Sequence, residues 1–304
     1  FLNDELIELN LNEEPKQTLV SKPKLFEPIA LTVFLLSTIL ILSILCFILK
    51  EFAFVPVLII VSSIGVPLSI VYFCYRLNTR NDVSFLDNIK YLILGFALSI
   101  LINLIFSGLS DSVFGSALSS LHVKSAVEIV ATIVLVVICL VGNSHEGYPS
   151  ALLVSSVVSA GFIIGSTATQ LFNSLFISFE VQDGTIVKAL GAIINSEKYL
   201  NDSINSLVYA VFKSSVVRPA VFICSVILSG FAVKYVSTKP IFSQSNNLTG
   251  ILLFPVSVII YFLSEFFSSI FYLQFLYNSI SIVISIFIFY KIVNYTIKTE
   301  NYKQ

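Results

Sequence analysis

Charge is what this chain has least of. Asp, Glu, Lys and Arg make up 12% of its 304 residues, about half of the roughly 25% carried by soluble domains. A water-soluble fold of this length would lack the polar surface needed to cover itself. The formal net charge of -1 gives no electrostatic footprint for nucleic acid. Two His and four Cys, with no CxxC pair, argue against zinc, and no metal or cofactor is expected. Cys46, Cys74, Cys139 and Cys224 all fall inside apolar runs, where a thiol behaves as a small hydrophobe rather than half of a disulfide. Met and Trp are absent. No P-loop, no GxSxG elbow and no HExxH helix occurs.

Apolar residues fill the space that charge leaves. They make up 56% of the chain, and the mean hydropathy is +0.94. A helix crossing a bilayer needs about 20 mostly apolar residues. Runs near residues 29–49, 54–75, 89–109, 125–141, 150–176, 219–236, 249–267 and 271–293 meet that need. They are continuously apolar rather than alternating, which excludes a β-barrel. The expected fold is all-α: a polytopic integral membrane bundle of about eight spans, occupying residues 28–296 as a single domain. A polar N-terminal tail (1–27) and a short C-terminal tail (297–304) flank it. The first span follows too long a polar stretch to read as a cleaved signal peptide.

Residues 179–218 form the one sizeable extramembrane insertion, between spans five and six. Ile186, Val187, Leu190, Ile193 and Ile194 keep helical spacing, as do Ile204, Leu207, Val208, Val211 and Phe212. Two amphipathic helices on the membrane surface are expected there, capping the bundle rather than gating it. Lys and Arg concentrate in the tails and in the loops near Arg76, Arg80, Lys90, Lys234 and Lys239. The positive-inside rule therefore puts both termini in the cytoplasm.

Few polar residues interrupt the spans. Gly161, Gly165, Thr169 and Asn173 form a small and polar stripe in the fifth span. Such a stripe lets helix backbones approach closely, and packing within the chain is preferred over a dimer seam. Glu128 and Glu265 are the two embedded carboxylates, each near enough to a helix end to reach the interface. Arg218 and Lys234 flank the sixth span as possible counter-charges. A structural ion pair is preferred over a functional site.

From the second span onward the order of features resembles the PrsW-type glutamic intramembrane proteases, relatives of the CAAX-processing membrane proteases. A Pro-containing helix and basic loop (residues 55–80) lead to Gly95-Phe96-Ala97. The stretch Val127-Glu128-Ile129-Val130-Ala131 then matches the family's paired-glutamate helix. Ala160-Gly161-Phe162 is similar to its small-residue helix. Arg218 followed by Gly230, and Ile260 to Glu265, echo its later blocks. The resemblance spans roughly residues 54–270 through order and pattern. It departs at the chemistry: Glu128 alone remains of the paired glutamates, Ser166 stands at the second-helix glutamate, and Tyr261 at the last His.

Hydrolysis needs a base for water and donors for the oxyanion, which one carboxylate without a His does not supply. The resemblance thus implies a degenerate, non-catalytic member acting as a scaffold or complex subunit. Its partners would be the lipid bilayer and another membrane protein. Two alternatives stay open. One is an active glutamic protease with candidate catalytic residues Glu128, Glu265 and Arg218. The other is a transporter or channel component, although no inverted repeat is visible.

Overall fold

The computed structural model describes residues 26–49, 55–78, 83–110, 121–142, 147–178, 216–237, 244–268 and 274–301. Among these residues every regular element is a helix: α1 (Phe26–Leu49), α2 (Val55–Leu77), α3 (Phe85–Ser110), α4 (Leu121–Gly142), α5 (Tyr148–Ser178), α6 (Arg218–Ser237), α7 (Gln244–Ser268) and α8 (Gln274–Asn301). Five of them carry segments long and apolar enough to cross a membrane: Phe85–Phe106, Val123–Gly142, Tyr148–Thr167, Arg218–Ser237 and Ser279–Thr299. α1, α2 and α7 carry shorter apolar stretches, Val33–Leu42, Ile64–Leu77 and Gly250–Glu265. The two amphipathic helices expected within 179–218 lie outside the described residues up to 215. So does the N-terminal tail up to residue 25. α8 runs past residue 297, where a tail was expected. Thr296 is buried there with its hydroxyl bonded to the Ile292 carbonyl, at 2.9 Å.

Local chemistry sets the helix starts. Ser84 Oγ accepts from the Asp87 amide at 3.1 Å and donates to the Asp87 carboxylate at 2.6 Å, a reciprocal cap on α3. Gly147, at φ 97°, turns the chain into α5 through a conformation a side chain would strain. Pro149 and Pro219 sit in the first turns of α5 and α6, where the missing amide donor costs nothing.

α5 is the axis of the bundle. Nearly all of Tyr148–Thr167 is buried, and α5 packs against α2, α3, α4 and α6. A helix so enclosed must still satisfy its serines. Ser155, Ser156 and Ser159 do so by bonding back to carbonyls one turn earlier, at 2.6–2.8 Å. Glycine sets the helix spacing. A Cβ on Gly95 of α3 would overlap the Val158 carbonyl of α5, and one on Gly161 would overlap the Leu92 carbonyl of α3. The two backbones therefore run side by side and parallel. Gly230 of α6 receives Ser155 in the same way.

Outside this core the helices present aliphatic and aromatic side chains. Ile93, Leu101 and Leu104 of α3, Val134 and Ile138 of α4, and Val283 and Phe287 of α8 are all exposed. In water such faces would aggregate; lipid is their natural solvent. The chain is membrane-embedded. Substituting Gly161→Leu or Gly95→Leu is expected to destabilise by at least about 1–3 kcal/mol, because the obstacle is backbone rather than a movable side chain. Gly142→Ala, which meets open space, is expected to be neutral. Thermal unfolding in detergent measures the difference.

Candidate functional site

At one end of the bundle three helices bring ionisable groups into the interior. Arg218, the first residue of α6, is 6% exposed, Glu128 of α4 is 0% and Glu265 of α7 is 7%. The Arg218 Nη2 donates to Glu128 Oε2 at 2.5 Å, and its Nε lies 3.8 Å from Glu265 Oε1. The same Nε donates to the Tyr261 hydroxyl at 3.3 Å. On the other side of Glu128, Ser166 of α5 donates to Oε1 at 3.4 Å. Lys124, one turn before Glu128, sits 3.9 Å from that oxygen and donates to Asn103 Oδ1 of α3 at 2.6 Å. Two carboxylates and two cations thus share one neutral cluster. Neutrality matters, because an uncompensated buried charge costs several kcal/mol.

Helical spacing explains how the groups meet. Ser257, Tyr261 and Glu265 recur every four residues along one face of α7, and Arg218, Phe222, Ser225 and Ser229 follow one face of α6. The two faces close on each other. Phe222 meets Tyr261 edge to face with centroids 5.0 Å apart, and Ser229 and Ser257 hydroxyls lie 2.6 Å apart. Phe162 of α5 stacks on Phe222 from behind. A cation at the α6 N-terminus and an anion near the α7 C-terminus each oppose their own helix dipole. Side by side, each offsets the other.

The far end of the bundle is aromatic. Tyr148, Phe231, Tyr235 and Tyr295 form a ring cluster from α5, α6 and α8. Counting along α6 and α5 from Phe231 and Tyr148, the Arg218–Glu128 pair lies about 20–27 Å away. That separation is close to the thickness of the hydrocarbon layer, about 30 Å. Tyrosine at one boundary and the ion cluster near the other is how such groups distribute in a bilayer.

The structure brings Glu128, Glu265 and Arg218 together, and leaves Lys234 at the opposite end of α6. Both carboxylates lie near enough to their helix ends in the sequence to reach the membrane interface. They turn inward instead, because both face the Arg218 guanidinium, and α4 begins at Leu121, which sets Glu128 a turn deeper than its apolar run suggested. Gly161 and Gly165 face Leu92 and Ser99 of α3. Thr169 bonds back to the Gly165 carbonyl at 2.8 Å. Asn173 belongs to α5, but its side chain lies outside the described residues.

Lys124, Asn103, Ser166 and Tyr261 were not recognised as partners from sequence. The four-residue spacings Lys124–Glu128 and Tyr261–Glu265 were the available signal. Among the described residues no group of His, Cys, Asp and Glu is placed to hold a metal. An open, wholly apolar groove of about 500 Å³, lined by Val123, Ala126, Val127, Val130, Ala131 and Phe262, lies beside the cluster.

In comparisons with known proteins, no protein-family model matches the chain, and no curated protein or solved structure does either.

Removing one member should expose the cluster's bookkeeping. Arg218→Met leaves two buried carboxylates facing each other and is expected to cost about 3–5 kcal/mol. Glu128→Gln combined with Arg218→Met is expected to cost less than the sum of the single changes, with a coupling of about 0.5–3 kcal/mol. Unfolding of all three variants in detergent measures that coupling.

Proposed function

We propose that this chain is a non-catalytic, eight-span membrane protein of PrsW-like architecture that serves as a scaffold or subunit of a membrane protein complex. The observation that carries the proposal is the engagement of both embedded carboxylates by one guanidinium. A catalytic carboxylate must present a lone pair to water, and oxyanion donors must point at vacant space. Here the donors of Arg218 and Ser166 act within the cluster itself, and the Tyr261 hydroxyl accepts from Arg218. Support for the PrsW-like architecture comes from position. Glu128, Ser166, Arg218 and Tyr261 are the residues that the resemblance aligns with the family's polar blocks, and they meet at one spot.

The proposed orientation has both termini cytoplasmic. Arg76, Lys90, Lys234, Lys291 and Lys298 belong to the end holding the α1 N-terminus and the α8 C-terminus, as the positive-inside rule requires. The basic residues described at the other end, Lys124 and Arg218, belong to the ion cluster.

One observation favours the second reading, an active glutamic protease. The apolar groove between α4 and α7 flanks Glu128 through Val127 and Ala131, which would give a substrate helix a lipid-side approach. Reconstitution into liposomes with a set of single-span peptides separates the two readings. The scaffold predicts no cleavage by wild type and the same cross-linked complex in native membranes for wild type and the Glu128→Gln/Arg218→Met variant. Cleavage by wild type that Glu128→Gln abolishes would falsify the scaffold and establish the protease.

A further inference from the structure

At the tyrosine-rich end of the bundle, the outer stripe of α8 changes character along its length. Ile280, Val283, Ile284 and Phe287 are exposed and recur at helical spacing. Tyr290, Lys291 and Lys298 continue the same stripe, all exposed. The aliphatic part faces acyl chains, and the aromatic and basic part occupies the boundary. Lys291 and Lys298 lie about 10 Å apart along the axis, within reach of one headgroup layer for side chains of lysine length.

Four basic residues elsewhere in the bundle have acidic neighbours. Arg76 pairs with Glu27, Lys90 with Asp87 at 3.1 Å, and Lys124 and Arg218 with Glu128. Lys291 and Lys298 have no carboxylate partner among the described residues. The Lys291 ammonium instead lies 5.3 Å from the centre of the Phe287 ring, a cation–π contact that holds the charge against the lipid-facing surface and leaves its N–H donors for an anion. A lysine at that depth keeps its ammonium in the headgroup layer, where an anionic headgroup adds attraction for each lysine.

We propose that this stripe is a binding site for an anionic phospholipid: Lys291 and Lys298 hold the phosphodiester, the Tyr290 hydroxyl donates to the headgroup, and one acyl chain lies along Phe287, Ile284 and Ile280. Charge complementarity selects the occupant, since two ammonium groups with no carboxylate partner among the described residues, above an aliphatic track, fit an anionic headgroup on an acyl chain. A zwitterionic lipid brings its own cation, and a transmembrane helix would have to supply buried acids. The site is independent of the Glu128 cluster, which lies at the opposite end.

Native mass spectrometry of the full chain tests it, with phosphatidylglycerol and phosphatidylcholine of identical acyl chains offered together. Wild type is expected to retain phosphatidylglycerol over phosphatidylcholine by at least about fivefold. Lys291→Gln/Lys298→Gln is expected to remove that preference, and Lys291→Arg/Lys298→Arg to keep it. Lys90→Gln, at the same end but on a lysine paired with Asp87, is expected to leave it unchanged. Equal retention by wild type, a preference that survives the double glutamine variant, or a loss on Lys90→Gln overturns the site. Displacement of the lipid by millimolar inorganic phosphate would show an anion site alone and likewise overturn the lipid assignment.

Discussion

A guanidinium buried inside a membrane bundle constrains everything packed around it. Arg218 opens α6 in the interior, so the chain must deliver counter-charge to that point from other helices. α4 supplies Glu128, α7 supplies Glu265 and Tyr261, and α5 supplies the Ser166 hydroxyl that donates to Glu128. Each contact fixes the rotation of its helix, because a turn about the axis would carry the group into lipid. The cost of leaving such a charge unpaired specifies the arrangement more sharply than apolar packing does, since one aliphatic side chain substitutes readily for another in hydrocarbon.

The remaining architecture is compatible with that constraint because α5 is slender. Its glycines and serines let α3 and α6 approach along its length, and the serines close their hydrogen bonds within the helix. A bulkier central helix would hold α4 and α6 apart and break the Glu128–Arg218 contact. Small residues in the middle and ion pairing at the end are therefore two parts of one solution. The first sets how near the helices come, and the second sets how they are turned.

The same cluster governs the functional reading. Carboxylates that neutralise an arginine are poor general bases, since proton abstraction would leave the arginine unbalanced in a low-dielectric surrounding. The apolar groove beside Glu128 remains the feature of the fold that a protease would need. At the opposite end, Lys291 and Lys298 on α8 place charge at the bundle surface with no carboxylate partner among the described residues.

Much of this was legible in the residues. Low charge and long apolar runs determine a helical membrane protein, because lipid leaves the backbone few other ways to satisfy its hydrogen bonds. The positions of the helices followed from the same runs, and Glu128, Glu265 and Arg218 stood out because ionisable groups are rare in such segments. What the sequence could not determine was which of these groups meet. Positions 128, 166, 218, 261 and 265 are far apart in the chain, and periodicity describes one helix at a time. Only the tertiary structure decided that Arg218 rather than Lys234 takes both carboxylates, and that those carboxylates face inward. The physical reason is that helix rotation and pairing are set by contacts between elements, where closely packed glycines and a buried charge admit few arrangements.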